Sequence, residues 1–155
     1  MRGETADDGP FLERLFISVR IDELGPTGWP EEAKHAFLAN QFTFQRKHYA
    51  NAYGGGDFRI VEQDGVPVGR LSLFWGADEV RVVDISLLPD RRGGGLGTAL
   101  IRMVQADAAA RGKAVSLHVD LMNPAQCLYR RLGFVEDGMH GPSWRMVWHP
   151  EVLPA

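Results

Sequence analysis

The residues best suited to chemistry lie between Leu87 and Leu100, L-L-P-D-R-R-G-G-G-L-G-T-A-L. Arg92 precedes Gly93, Gly94, Gly95 and Gly97, with Leu96 and Thr98 set among them. Glycine has no Cβ, so a ligand can approach the backbone N–H groups closely. At a helix start those groups lack intrahelical partners and carry the positive end of the dipole. Together these features bind phosphate. A flexible loop is the alternative, but the order of Pro89, Arg92, glycines and an amphipathic helical run argues against it. Two familiar glycine loops are excluded. A P-loop needs Lys then Ser or Thr after the last glycine, whereas Thr98 and Ala99 follow Gly97. A dinucleotide fingerprint needs Gly or Ala at its third position, where Leu100 stands.

What remains is R-x-x-G-x-G, made by Arg92, Gly95 and Gly97, with Pro89 upstream. One helix and one strand further on comes N-P-A-Q-C-L-Y-R-R-L-G-F, Asn123 to Phe134. The first motif resembles the coenzyme A pyrophosphate loop of the GNAT N-acetyltransferase superfamily, and the second resembles that family's other signature. In element order the resemblance runs from about Thr5 to His149. It implies an α/β fold. The sheet would be mixed and mostly antiparallel, with a splayed central strand pair and about four helices on both faces. The whole chain, 1–155, would form one GNAT-like domain.

The elements that must position these residues are legible in outline. Asp7-Asp8-Gly9-Pro10 reads as a helix entry, and Phe11, Leu12, Leu15, Phe16 and Val19 recur at helical spacing. The family places a strand before this helix, and only Met1 to Glu4 are available for it. The expectation is a first strand that is very short, missing or truncated. Asp22 to Pro30 reads as a loop. Pro30-Glu31-Glu32 opens a second helix whose apolar side is expected at Ala33, Phe37, Phe42, Phe44 and Tyr49, with Gly54-Gly55-Gly56 as its stop. Phe58–Gln63 and Pro67–Trp75 read as a hairpin around Asp64-Gly65. Val80–Leu88 reads as a central strand. After the glycine loop, a helix to about Ala110 packs through Leu96, Leu100, Met103 and Val104. Ala114–Leu121 alternates as a strand, a fourth helix runs from Asn123-Pro124 to Gly133, and Phe134–Asp137 with Ser143–Trp148 forms a closing hairpin. Glu151–Ala155 is expected to fray.

Acetyl transfer from a thioester to an amine needs the donor held beside a neutral amine. It also needs a stabilised oxyanion and a proton for the departing thiolate. The resemblance implies acetyl-CoA as the acyl-donor cosubstrate, with no metal. Its contacts would come from Leu87, Leu88, Arg92, Gly93, Gly94, Gly95, Leu96, Gly97, Thr98, Asn123 and Tyr129. The backbone at Leu87 and Leu88 would meet the pantetheine arm. Asn123 matches the family's pantetheine-contacting residue and reads equally as a helix cap. Tyr129 matches the family's tyrosine near the sulfur and would act as general acid; alone, it also reads as a core aromatic beside Leu128 and Leu132. The base is less defined. Many members carry a Glu where Arg81 stands here. Asp84, Asp120, His118 and His140 remain, with Asp84 and His118 preferred and a water chain as the alternative. Cys127 reads as a small helix-packing residue, and Trp144 and Trp148 as core or dimer contacts. Trp29, His140 and Pro142 would border the acceptor pocket by resemblance.

Composition bounds the rest. A chain of 155 residues suits one domain. A net charge of −3 points to neither nucleic acid nor an anionic membrane. The single cysteine excludes an intramolecular disulfide and fits a reducing compartment, so the expected location is the cytoplasm. No apolar leader follows Arg2, and no run is long enough to span a bilayer. The expected partner is a small-molecule or peptide amine, with a homodimer as a family-level expectation. The expected activity is N-acetyl transfer to a primary amine. A non-catalytic acyl-CoA-binding or sensing module is the alternative, motivated by the missing Glu and the abbreviated first strand.

Overall fold

The computed structural model describes residues 1–52, 56–121 and 123–150. Gly54, Gly55 and the tail Glu151–Ala155 lie outside the described residues, as do the side chains of Tyr49 and His140. Among the described residues, seven strands form one sheet: β1 (Arg2–Gly3), β2 (Asp57–Gln63), β3 (Val66–Trp75), β4 (Glu79–Leu87), β5 (Ala114–Asp120), β6 (Val135–His140) and β7 (Ser143–Trp148). Their order is β1-β2-β3-β4-β5-β7-β6. The helices are α1 (Gly9–Arg20), α2 (Glu31–Ala52), α3 (Leu96–Ala110) and α4 (Ala125–Arg131). The mixed sheet is as expected. β4 and β5 run parallel, while β1–β2, β5–β7 and β6–β7 are antiparallel. Asp64 and Gly65 both have positive φ, as a tight hairpin turn between β2 and β3 requires. The expected loop after α1 is instead a run of 3-10 turns over Ile21–Thr27.

The described residues divide into two compact units that share β3 and β4. The first comprises Met1–Ser72 and Asp84–Arg92. Its core gathers Phe11, Leu12, Leu15 and Phe16 of α1 with Leu38 and Phe42 of α2 and Ile60 of β2. The Phe16 and Phe42 rings lie 5.7 Å apart. This corrects the expected face of α2. Leu38 is 2% exposed and Phe42 7%, whereas Phe37 and Phe44 are 39% and 75% exposed. Apolar residues occur all round this helix, so periodicity does not select the buried pair; Leu38 and Phe42, four apart, are the two that meet α1. Phe37 packs edge-on against Trp29 instead, at 5.4 Å.

The entry to α1 is fixed electrostatically. Asp8 is buried, and its carboxylate accepts two hydrogen bonds from the Arg2 guanidinium, at 2.7 and 2.8 Å, and one from the Thr5 N–H. The Arg2 hydrogen bonds and the Thr5 backbone hold the Asp8 carboxyl well below its ordinary value. The same carboxylate raises the Arg2 guanidinium. Arg2 also belongs to β1, pairing with Ile60, so a two-residue strand is tied to both the sheet and the helix entry.

The second unit comprises Leu73–Val83 and the chain from Gly93 onward. Val115, Leu117 and Val119 of β5 are buried with Leu100, Ile101, Val104 and Ala108 of α3. Ile101 and Ala108 replace the expected Leu96 and Met103, which are only half-buried. In β7 the fully buried residue is Met146, and Trp144 and Trp148 are half-buried. The Gln105 amide donates to the Leu132 carbonyl at 2.8 Å, joining α3 to the end of α4.

Two stability predictions follow from this packing. Leu38→Ala should cost about 2–5 kcal/mol in denaturant unfolding, and Phe44→Ala no more than about 0.5 kcal/mol. Equal losses would refute the assigned face. The lowered Asp8 carboxyl makes its contribution above its ordinary value of 3.8. That contribution disappears as pH falls through this value toward the depressed one. Asp8→Asn should therefore destabilise at neutral pH, with the gap to the native chain closing at acid pH. A pH-independent gap would count against the ion pair.

Candidate functional site

In the first unit, β3 is buried continuously from Val68 to Ser72. A Cβ added at Gly69 would lie 2.5 Å from the Ser86 carbonyl and 2.7 Å from Leu87 Cδ2. Gly69 therefore lets β4 close down on β3 just before the glycine loop. The Leu88 N–H continues that contact, donating to the Val68 carbonyl at 2.9 Å. The Leu88 side chain packs on the apolar core of this unit, and its carbonyl accepts from the Arg91 N–H at 2.9 Å. Pro89–Arg91 makes a 3-10 turn. Arg92 is exposed and extended, and its Nε donates to the Leu87 carbonyl at 3.2 Å. Arg91 donates to the Gln63 side chain at 3.2 Å. The structure thus brings Leu87 and Arg92 together.

Gly93 and Gly95 have φ of +80° and +81°, a region that favours glycine. Gly95 caps α3 and has no side chain to satisfy the first N–H groups of the helix. Cβ atoms built at Gly93, Gly94 and Gly95 would meet nothing within 4 Å. The glycines are therefore not required for packing. Leu96, Gly97 and Thr98 form the first turn and are half-buried. An exposed, uncapped helix start flanked by left-handed glycines suits a phosphate oxygen.

In the second unit, the β4–β5 ladder pairs Glu79, Val80, Arg81 and Val82 with Ala114, Val115, Ser116 and Leu117, and ends there. β5 goes on to pair with β7 as far as Asp120 opposite Ser143. Arg81 Nη2 lies 2.7 Å from His118 Nδ1. A guanidinium can only donate, so Nδ1 accepts and the ring is the Nε2–H tautomer in this arrangement. The Asp120 carboxylate accepts from the Ser143 hydroxyl at 2.9 Å.

Glu79 is held by both Nη2 contacts of Arg145, each 3.0 Å, and Arg145 also reaches Asp137 at 3.2 Å. Burial pushes the Glu79 carboxyl up, but the cations Arg145 and Arg81 hold it below its ordinary value. Burial lowers Arg145, and Glu79 and Asp137 more than offset this.

The second motif forms α4. The Asn123 side-chain oxygen accepts from the Ala125 N–H at 2.9 Å, a local turn just ahead of α4, whose N-cap position is Pro124 and not Asn123 as expected. Sequence reasoning missed Gln126. This buried residue donates to the carbonyls of Asp120 and Leu121 at 2.8 and 2.6 Å, fastening α4 to the end of β5. Tyr129 is 8% exposed and packs edge-on against Phe134, ring centroids 5.8 Å apart. Gln126 and Tyr129 are the buried residues of this helix. Cys127 lies on another side and is exposed, not a packing residue as expected.

Asp84 sits in a polar group in the first unit. Its Oδ1 accepts from the Ser86 hydroxyl at 2.9 Å, and its Oδ2 lies 3.9 Å from Arg70 Nη1. Arg70 in turn lies 3.6 Å from Glu4. Arg70 and Glu4 were also missed; the signal was a charged residue inside the apolar run Val68–Leu73. A separate cleft of about 520 Å³ in this unit has Ile17 and Ile21 in its lining and Arg14, Asp22, Glu31 and Lys34 around them.

Comparison with known proteins places the chain in a family. The acetyltransferase (GNAT) domain model matches residues 54–136, more than half of the chain. This chain belongs to the GNAT acetyltransferase family. A Bacillus subtilis (strain 168) protein, provisionally named a ribosomal protein bS18-alanine N-acetyltransferase, is 30% identical over 84 residues. The match covers 53% of this chain and 56% of that one, so the chain spans about half the length of the curated relative. The PaiA N-acetyltransferase of Thermoplasma acidophilum, solved in complex with coenzyme A, superposes with a TM-score of 0.72 at 16% identity, covering 96% of both chains. A GCN5-related N-acetyltransferase of Rhodopseudomonas palustris gives 0.66 at 24% identity, covering 96% of this chain and 93% of that one. These two likenesses show the GNAT fold. Among the described residues, no helix is long and apolar enough to cross a membrane.

Proposed function

We propose that this GNAT chain transfers an acetyl group from acetyl-CoA to a primary amine on a small molecule or peptide. The observation that carries the proposal is the α3 start, where Gly95 leaves the helix uncapped between an exposed loop and Thr98. Such an end favours a pyrophosphate. Arg92, Gly93, Gly94, Gly95, Leu96, Gly97 and Thr98 would hold that group, and the backbone at Leu87 and Leu88 and the Asn123 side chain would meet the pantetheine arm.

The neutral amine nitrogen attacks the thioester carbonyl carbon. A C–N bond forms, the C–S bond breaks, and the amine loses a proton. We assign the proton acceptor to Asp84 in preference to His118, because Arg81 occupies the His118 Nδ1 lone pair. Tyr129 gives its phenolic proton to the departing thiolate, a role that general acid catalysis values at about 10²-fold or more. The relative provisionally named a ribosomal protein bS18-alanine N-acetyltransferase makes peptide N-termini suitable members of the amine panel.

Acetyl-CoA at ~100 times its dissociation constant should stabilise the protein by about 2.7 kcal/mol, raising Tm by several degrees. ATP and NADH should leave Tm unchanged, and Gly95→Asp should abolish the acetyl-CoA shift while leaving the fold intact by circular dichroism. A shift of equal size with ATP would overturn the ligand assignment.

Thiol release from acetyl-CoA across primary amines and alanine-terminated peptides tests the chemistry. Tyr129→Phe and Asp84→Asn should each lower kcat about 10²-fold, with His118→Gln close to the native enzyme. No release with any amine would sink the catalytic reading.

A further inference from the structure

We propose that Glu4 and Arg70 form a counter-charge relay behind Asp84, with Ser86 fixing the carboxylate's direction; this rests on Asp84 as the proton acceptor. Arg70 is 7% exposed, in the middle of the most buried strand. A buried guanidinium is costly unless paired, and a well-packed apolar residue in its place is often as stable or more so. A structural reason alone therefore does not account for it. Arg70 lies between two carboxylates, Glu4 at 3.6 Å and Asp84 at 3.9 Å, with the Phe58 ring at 5.8 Å. Both separations are ion-pair contacts longer than a hydrogen bond. Consistent with this, Arg70 Nε and Glu4 Oε2 are buried without hydrogen-bond partners. The guanidinium is thus shared and committed to neither side.

Asp84 is the outer member, with its side chain 24% exposed against 13% for Glu4. Its two oxygens are held separately, Oδ1 by Ser86 and Oδ2 facing Arg70. This arrangement suits a group that changes charge. While Asp84 is ionised, Arg70 balances it. When the attacking amine passes its proton to Asp84, leaving a neutral amide and a neutral carboxylic acid, Arg70 loses that partner. Glu4 then supplies the compensating charge, so no isolated buried cation results. Glu4, Arg70 and Ser86 are positioning residues, acting through Asp84.

The test is a double-mutant cycle using acetyl-CoA and the primary amine that gives most thiol release, with rates from single turnovers at excess enzyme. Glu4→Gln and Ser86→Ala should each lower the rate about tenfold, and neither should slow Asp84→Asn further. KM for acetyl-CoA should stay within about twofold in both, since neither residue is at the glycine loop. Glu4→Asp should recover part of the loss. Arg70→Lys should fall between the native enzyme and Arg70→Gln; should Arg70→Gln fail to fold, the two milder variants decide. Equal losses in the native and Asp84→Asn backgrounds, or no loss in either, would overturn the relay while leaving the acetyl-transfer reading intact. Native turnover in Asp84→Asn would remove Asp84 as acceptor and the relay with it, while the acetyl-CoA shift in Tm would still stand.

Discussion

Four residue pairs carry the parallel ladder between β4 and β5, and it stops after Val82 opposite Leu117. A parallel pair needs a crossover, and here α3 supplies it. Beyond the last pair each strand continues with its other neighbour. β4 keeps to β3, where Gly69 permits backbone approach as far as Leu87. β5 keeps to β7 as far as Asp120. The glycine loop leaves from the end of the first strand, and the Asn123 segment from the end of the second. Both motifs therefore emerge where a strand has finished with the shared ladder.

Much of the fold was legible in the sequence because its signals are local. Asp64-Gly65, the alternation of β5 and the phenylalanine and leucine spacing of α1 each depend on neighbouring residues alone. The face of α2 is a different kind of problem. Leu38, Phe42, Phe37 and Phe44 are all apolar, and what separates buried from exposed is contact with α1, a tertiary property. The 3-10 turns at Ile21–Thr27 escaped notice for a related reason: Gly25 and Pro26 signal a break in the helix, not the shape of the segment that follows.

The site divides along the same line. The left-handed glycines of the loop and the Asn123 turn could be read because such backbone shapes require particular residue types at fixed offsets. Gln126 could not, because its value lies in reaching the Asp120 and Leu121 carbonyls. The partners of Asp84 and His118 are equally hidden. Arg70 and Arg81 are distant from them in the chain or on another strand, and only the fold determines which carboxylate or imidazole each cation meets.

The exposed thiol of Cys127 has a practical consequence. It is the sole cysteine of the chain, two residues before Tyr129, on a helix whose buried side is taken by Gln126 and Tyr129. A fluorophore attached there would occupy one defined position without displacing a core side chain. It would turn α4 into an optical reporter, so that events at the Tyr129 helix could be followed in real time on an otherwise unlabelled molecule.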